Sequence, residues 1–261
     1  MFIREEWIKN TEFFPDDSAQ VLGKVIAGVK KALAEKKLPV VIFDLDSTLF
    51  DVSKRSYEIL REWQSHTETG SFKETLQLLS DLRPEDMRYS LEDVWHIKKI
   101  PHDRIPFEHH FKHAKQFWRQ RFFSHEYLKH DEPAKGAVNF VGQLHELGAK
   151  IVYLTGRDVP LMAFGTFDQL KRHGLPIEVE RTRLILKPKR HLDDLDFKSS
   201  AAKLAQEWGT VIASFENEPK NLVAMAKVFG PETMNIFFQS VSSDHAAPGG
   251  KGVFKIQEFR F

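Results

Sequence analysis

Residues 39–50, PVVIFDLDSTLF, constrain the fold of this chain more than any other stretch. Residues 40–43 are an unbroken apolar run rich in β-branched side chains, which predicts a strand buried on both faces, as in a parallel sheet. The run ends at Asp44, and a second carboxylate follows at Asp46. Ligands bind at the carboxyl ends of strands in open α/β sheets, and carboxylates there are costly unless a cation or a reaction uses them. A turn capped by one of the following hydroxyl side chains is the alternative explanation.

Short apolar runs and amphipathic segments alternate through most of the remaining chain. The predicted strands after the first lie at 150–154, 184–186, 211–215 and 234–238, with a half-buried edge strand at 253–261. The predicted helices lie at 18–37, 134–147, 161–173, 199–208 and 221–229. This alternation with short connections predicts an α/β fold, a three-layer Rossmann-like parallel sheet with helices on both faces.

Residues 51–133 have a different composition, rich in His, aromatic and charged side chains and without β-branched runs. Helices are predicted at 53–66, 72–82 and 106–123, with breaks at the Pro residues between them. We therefore expect an α-helical cap inserted into a core made of residues 1–50 and 134–261. Within the third helix, His109, His110 and His113 have a spacing that can bind zinc, but a helix with solvent-facing histidines is the favoured interpretation.

Composition limits the classes of function. The 261 residues carry a formal net charge of +1 and no cysteine, which argues against nucleic acid as a partner and excludes thiolate metal sites. The first residues are charged and lack an apolar leader core, and no run approaches the ~18 apolar residues of a membrane span. We expect a cytoplasmic protein with no membrane partner.

Polar side chains follow three of the predicted strands, at the point where each strand ends. They are Asp44 with Asp46, Thr155 with Gly156, and Glu216 with Asn217. A parallel sheet brings these ends to one edge. Carboxylate and amide oxygens suit Mg²⁺, and a threonine hydroxyl beside an unhindered glycine N–H suits an oxyanion. A lysine at the same edge would add a positive charge for phosphate.

Three motifs carry a resemblance to a known family. DLDST at 44–48 resembles the first motif of the haloacid dehalogenase superfamily, whose hydrolases have DxDxT after the first strand. IVYLTGR at 151–157 is similar to the second motif, and FENEPKNL at 215–222 to the fourth, which supplies acidic Mg²⁺ ligands. Three motifs in order at successive strand ends are far more specific than one DxD. The resemblance implies Mg²⁺ as cofactor and a small phosphorylated metabolite as substrate.

The resemblance also implies a role for each matching residue. Asp44 would be the nucleophile that forms an aspartyl-phosphate. Asp46 would protonate the leaving oxygen and then activate water, and its backbone carbonyl would bind Mg²⁺. Thr155 and Gly156 would bind the transferred phosphoryl group. An acid at position 46 is typical of the phosphatases and phosphotransferases of the superfamily and is lacking in its dehalogenases.

Several assignments stay open at this point. The motif lysine is Lys198 or Lys187, and we favour Lys198, because a lysine at the start of a predicted helix is otherwise opposed by the helix dipole. The predicted metal ligands are Asp44, Asp46, Glu216 and Asn217, with Glu218 as the alternative to Asn217.

The activity also has alternatives. Phosphoryl transfer within the same superfamily is one, and a catalytically weak phosphate-binding member is the other, favoured by an amide at position 217 where the motif has an acid. Arg55 is a candidate substrate contact, and Arg157 is either a structural ion-pair residue or part of the site.

Overall fold

The computed structural model describes residues 4–66, 69–101, 105–243 and 249–260. The chain divides into two compact units, one made of Met1–Phe50 with Pro133–Phe261 and one made of Asp51–Glu132. The first unit holds the sheet and the second is an insertion between two of its strands. Whether the insertion acts as a cap stays a prediction.

A parallel sheet forms the centre of the first unit. The described strands are Glu12–Phe13 (β1), Pro39–Phe43 (β2), Phe50–Asp51 (β3), Glu132–Pro133 (β4), Lys150–Asp158 (β5), Thr182–Lys187 (β6), Thr210–Glu216 (β7), Met234–Phe238 (β8) and Lys251–Ile256 (β9). Seven of them form one sheet in the order β1-β9-β8-β7-β2-β5-β6, and every pairing in it is parallel. The predicted α/β fold with a parallel sheet is confirmed.

Helices connect the strands and fill the insertion. They are Arg4–Asn10 (α1), Ser18–Ala34 (α2), Ser53–His66 (α3), Thr69–Leu78 (α4), Leu91–Ile97 (α5), Phe107–Phe122 (α6), Ala137–Glu146 (α7), Val159–Arg172 (α8), Asp194–Glu207 (α9) and Pro219–Phe229 (α10), with short 3₁₀ turns at Pro84–Asp86 and His125–His130. In the described parts of the chain, no helix has the length and apolar character needed to cross a membrane. The expected cytoplasmic location stays a prediction.

The three layers follow from the two-residue period of β2. Val41 and Phe43 pack with α2, α7 and α8 in one apolar cluster, whereas Val40 and Ile42 pack with α9 and α10 in another. Successive side chains of a strand point to opposite faces, so an unbroken apolar run supplies both layers at once. Residues 40–43 are therefore all apolar and do not alternate with polar residues.

The register of β2 places three strand ends side by side. Phe43 pairs with Tyr153 of β5 on one side and with Phe215 of β7 on the other. The next residue, Asp44, donates its backbone N–H to the carbonyl of Phe215 at 3.0 Å. Asp44 and Glu216 therefore lie side by side, level with the residue that follows Tyr153 in β5.

Two predictions about the sheet are corrected. The strand near the C-terminus, β9, is not an edge strand, because β1 pairs with it on the side away from β8. β1 has only two residues, too few to show a periodic pattern. The predicted strand at 150–154 continues to Asp158, which pairs with Lys187 of β6 after an irregularity that begins at Thr155.

The inserted unit has its own apolar core. Trp63, Phe72, Trp95 and Phe111 lie in one buried cluster contributed by α3 to α6. The predicted solvent-facing position of His110 is wrong, since this residue is 2 % exposed and its Nδ1 lies 2.9 Å from the hydroxyl of Thr75. His109 and His113 are exposed, as predicted.

Candidate active site

The residues after β2 form a tight turn that presents two carboxylates. The carbonyl of Leu45 accepts hydrogen bonds from the N–H groups of Phe50 at 2.9 Å and Thr48 at 3.2 Å. Ser47 has a φ of 60°, in the left-handed region that non-glycine residues rarely adopt. Such backbone conformations cost free energy and are concentrated at functional sites. The turn carries Asp44, which is buried, and Asp46.

A buried lysine joins two of the predicted site residues. The Nζ atom of Lys198 lies 2.7 Å from Oδ1 of Asp44 and 2.6 Å from Oε2 of Glu216. All three side chains are at most 7 % exposed. The structure therefore brings together the end of β2, the end of β7 and α9. It also corrects the reasoning that favoured Lys198, because α9 begins at Asp194 and Lys198 lies beyond its first turn.

Lys187, the alternative lysine, has different partners. Its Nζ lies 2.5 Å from Oδ1 of Asp194 and donates to the carbonyls of Arg190 and Leu192 at 3.2 Å each. These contacts tie the end of β6 to the start of α9. They give Lys187 a structural role at this position.

Burial controls the ionisation of the Asp44–Lys198–Glu216 cluster. It raises the pKa of Glu216 to about 8, with the charge of Asp44 acting in the same direction. Burial likewise raises the pKa of Asp44, although Lys198 opposes this change. For Lys198, burial alone would lower the pKa, but the two carboxylates outweigh it and the pKa is raised. The ammonium of Lys198 is thus held between two carboxyl groups whose ionised forms are disfavoured by burial.

Hydrogen bonds fix the two residues that follow Glu216. Asn217 Oδ1 accepts from the hydroxyl of Thr48 at 3.1 Å, and its Nδ2 donates to the carbonyl of Val241 at 2.7 Å. Glu218 accepts from the N–H of Ser243 at 2.9 Å and from its hydroxyl at 2.6 Å, and burial raises its pKa. Both side chains are therefore held by hydrogen bonds, and the choice between Asn217 and Glu218 as a metal ligand stays a prediction.

The donor set fits a magnesium ion. The carboxyl groups of Asp44 and Glu216 are buried side by side with one ammonium, and a further cation would favour their ionised forms. Over the described ranges, no group of three or more His, Asp or Glu side chains is arranged to hold a metal ion. Mg²⁺ does not require such a group, since it keeps several waters and uses one or two carboxylates.

The end of β5 supplies the predicted phosphate-binding residues. Thr155 is fully buried, and its hydroxyl accepts a hydrogen bond from the N–H of Arg157 at 3.2 Å. A Cβ atom at Gly156 would lie 2.9 Å from Oδ2 of Asp194, closer than non-bonded atoms approach. A side chain at this position would therefore require the carboxylate of Asp194 in α9 to move.

Arg157, whose role the sequence left open, contacts one of the predicted site residues. Its guanidinium binds the carboxylate of Asp46 through two hydrogen bonds, Nε to Oδ2 at 2.9 Å and Nη2 to Oδ1 at 2.8 Å. Arg157 and Asp46 are 111 residues apart in the chain, and no local sequence pattern connects them.

Arg55 does not belong to the site. It is fully buried in the inserted unit and binds Asp131 through Nε at 2.7 Å and Nη2 at 2.5 Å. Its Nη1 donates to the carbonyl of Phe122 at 3.2 Å. These contacts make Arg55 a structural residue of that unit and not the substrate contact that the sequence suggested.

Comparison with known proteins gives one family match. The model of the haloacid dehalogenase-like hydrolases matches residues 38–192, which include the turn after β2 and the end of β5. The match ends before Lys198 and Glu216, so these two residues are placed in the site by the structure alone. No curated protein matches the chain.

Solved structures share the fold at low sequence identity. A candidate phosphatase from Clostridium difficile has a TM-score of 0.52 and 12 % identity, over 85 % of this chain and 94 % of that one. A haloacid dehalogenase superfamily hydrolase of subfamily IA from Geobacter sulfurreducens has a TM-score of 0.50 and 10 % identity, over 85 % and 93 % of the two chains. At these identities the likeness is one of fold.

Proposed function

Because this chain belongs to the haloacid dehalogenase-like hydrolases, we propose that it is a Mg²⁺-dependent phosphatase that hydrolyses phosphomonoesters through an aspartyl-phosphate. The observation that carries the proposal is the position of Asp44. Its buried carboxylate follows the central strand, next to the ammonium of Lys198, and Asp46 lies two residues further on. Two carboxylates in different environments are what a nucleophile and a separate acid/base group need.

In the first step, an oxygen of Asp44 attacks phosphorus while the bond from phosphorus to the leaving oxygen breaks. Asp46 transfers a proton to that oxygen, and the substrate alcohol departs. The ammonium of Lys198, the N–H of Gly156 and the hydroxyl of Thr155 are the groups proposed to bind the phosphoryl oxygens. They act by fixed charges and dipoles.

In the second step, Asp46 takes a proton from a water molecule that attacks the phosphorus of the aspartyl-phosphate. The bond between phosphorus and the oxygen of Asp44 breaks, inorganic phosphate is released, and the carboxylate is regenerated. The side chain of Asp46 thus serves first as an acid and then, once deprotonated, as a base.

The proposed metal ligands are the carboxylates of Asp44 and Glu216, the amide oxygen of Asn217 and the backbone carbonyl of Asp46. Mg²⁺ bound there would neutralise charge on the phosphoryl group. The side chain of Asp46 is left out of this set because its carboxylate binds Arg157. A small phosphorylated metabolite is the proposed substrate class, because an insertion of this size, acting as a cap, would hinder a folded protein substrate.

The amide at position 217 favours a second candidate function, a phosphate-binding protein with little turnover. Both polar ends of Asn217 have hydrogen-bond partners, and it adds no charge to the metal site. Mg²⁺-dependent binding of phosphate without turnover would support this candidate over a phosphatase. A phosphotransferase would instead need an added acceptor before phosphate leaves the enzyme.

The test is hydrolysis of p-nitrophenyl phosphate and a broad panel of phosphate esters with Mg²⁺. Asp44→Asn is the matched control, since it keeps the size of the side chain but removes the nucleophile. We expect release of phosphate by the wild type, loss of that release with a chelator, and no turnover by the variant. Equal release by both proteins across the panel would refute the proposed hydrolysis.

A further inference from the structure

The guanidinium of Arg157 connects Asp46 to the helix α8. Besides the two hydrogen bonds to Asp46, its Nη1 donates to Oε1 of Gln169 at 2.7 Å and to the hydroxyl of Thr166 at 3.2 Å. We infer that Arg157 is a positioning residue, which holds the carboxylate of Asp46 in the orientation needed for proton transfer. This inference rests on the proposed function, because it assigns the position of the acid/base group.

The geometry of the ion pair restrains Asp46 on one side and leaves part of its side chain accessible. The side chain of Arg157 is 1 % exposed, whereas that of Asp46 is 31 % exposed. Two parallel hydrogen bonds from one guanidinium fix the plane of a carboxylate as well as its position. A carboxylate held on its buried side and partly exposed is suited to exchange protons with a substrate or a water molecule.

The partners of Arg157 on α8 are themselves immobile. Thr166 and Gln169 are both fully buried. The helix begins directly after the strand that carries Arg157, where Asp158 caps it by accepting a hydrogen bond from the N–H of Leu161 at 2.9 Å. The guanidinium is therefore held between the end of β5 and the buried face of α8.

A purely stabilising role explains this arrangement less well. A buried ion pair gains little stability over apolar side chains of similar volume, since both charges lose hydration. Positioning has a larger benefit, because a displacement of about 1 Å at a reacting group can lower the rate by about 10²-fold. Arg157 and Asp46 also lie on separate strand ends, so their pairing fixes one site segment relative to another.

The main experiment is a double-mutant cycle on kcat and KM with Arg157→Lys and Asp46→Asn. Lysine keeps the charge but cannot form the paired hydrogen bonds. We expect Arg157→Lys to lower kcat by roughly 10- to 100-fold with little change in KM, as loss of an interaction used in the transition state requires. In the Asp46→Asn background, the same substitution should change kcat by less than about twofold, since coupled residues are not additive.

Arg172→Lys is the matched control. Arg172 lies on the same helix, is partly exposed and donates to Asp168 at 3.2 Å, so its substitution should leave kcat and KM unchanged. Gln169→Leu is the second variant, in case Arg157→Lys does not fold, and should lower kcat in the same direction by a smaller factor. Additive effects of Arg157→Lys and Asp46→Asn, or an equal loss in the Arg172 variant, would overturn the inference.

Crystal structures separate this inference from the proposed function. In Arg157→Gln we expect the carboxylate of Asp46 to turn away from its wild-type position while the rest of β2 and β5 is unchanged. An Asp46 carboxylate in the same place in both structures would overturn the positioning role, whether or not the protein hydrolyses esters. Lack of hydrolysis by the wild type with a displaced Asp46 in Arg157→Gln would refute the proposed phosphatase and keep the positioning role.

Discussion

The Nζ atom of Lys198 lies 2.7 Å from Oδ1 of Asp44, although 154 residues separate them in the chain. Removal of the ammonium would leave two buried carboxylates without a counter-charge. We expect Lys198→Met to lower the free energy of unfolding of the first unit by about 3 to 5 kcal/mol, the usual cost of breaking a buried ion pair. Denaturant unfolding without Mg²⁺ measures this loss.

The control for this substitution is Lys171→Met. Lys171 is 68 % exposed, and its ion pair with Glu178 is 3.9 Å long. Surface substitutions of this kind change stability by less than about 0.5 kcal/mol. Equal stability of the Lys198 and Lys171 variants would show that Asp44 and Glu216 are not charged together in the folded protein.

Magnesium should raise the thermal stability of the protein if the carboxylates at the strand ends bind it. A ligand that binds only the folded state at 100 times its Kd adds about 2.7 kcal/mol. We expect the melting temperature to rise with Mg²⁺ in the wild type. The rise should be smaller in Asn217→Leu and absent in Glu216→Gln, because the charged carboxylate of Glu216 should bind Mg²⁺ more strongly than the neutral amide oxygen of Asn217.

The effect of Mg²⁺ on the melting temperature does not depend on catalysis, so it separates metal binding from turnover. Glu232→Gln is a suitable control, since it removes a carboxylate from an exposed position after α10. Stabilisation of the Glu216→Gln and Glu232→Gln variants to the same extent as the wild type would place the bound cation elsewhere.

The strand ends could be predicted to meet because their positions follow from short-range patterns. The runs before Asp44 and Glu216 are short, mostly apolar and separated by helical periodicity, and parallel strands of this kind align at one edge. Thr155 was predicted at the same edge although its strand continues for three further residues. Local pattern and topology are therefore enough to predict that Asp44 and Glu216 lie at one edge of the sheet.

Other features depend on tertiary contacts that no local pattern shows. The extension of β5 to Asp158 requires its pairing with β6, and the role of Arg157 requires Asp46, which is 111 residues away. Arg55 is a candidate substrate contact in the sequence because it follows the first motif closely. Its ion pair with Asp131, 76 residues further along the chain, has no local pattern that could predict it. Lys198 was favoured for a helix-end position that it does not occupy, although it does reach Asp44.

Gly156 should tolerate a methyl group only if Asp194 is changed as well. The added Cβ would lie 2.9 Å from the carboxylate of Asp194, so we expect Gly156→Ala to lower the free energy of unfolding by about 1 to 3 kcal/mol, as overpacking does. Asp194→Ala in the same chain should recover part of this loss, although it also removes the partner of Lys187. Chemical unfolding of the single and double variants measures the recovery.

Gly142→Ala provides the comparison for this effect. Gly142 lies inside α7, and no atom lies within 4 Å of the position that a Cβ would occupy there. Alanine at this position should therefore be neutral or stabilising by up to about 1 kcal/mol. A loss of stability in Gly156→Ala that Asp194→Ala does not reduce would mean that another contact constrains the glycine.

The inserted unit should lose stability in mild acid because of His110. Burial lowers the pKa of His110, so the folded unit holds its imidazole in the neutral form. The unfolded chain, with an ordinary histidine pKa of about 6.5, binds more protons. Stability from the neutral ring is therefore complete above that pH and is lost as the pH falls from about 6.5 towards the lower folded pKa. Hydrogen exchange of α6 at about pH 7.5 and about pH 5.5, on either side of the ordinary histidine pKa and corrected for the intrinsic rate, reports this loss.

His110→Asn tests the assignment, because asparagine does not titrate and its side-chain amide can replace Nδ1 beside the hydroxyl of Thr75, 2.9 Å away in the wild type. The variant should be less stable at the higher pH through lost packing, but its protection should change less between the two pH values. His109→Asn, at an exposed position on the same helix, should keep the wild-type pH dependence. An unchanged pH dependence in His110→Asn, or its loss in His109→Asn, would assign the acid sensitivity to a different group.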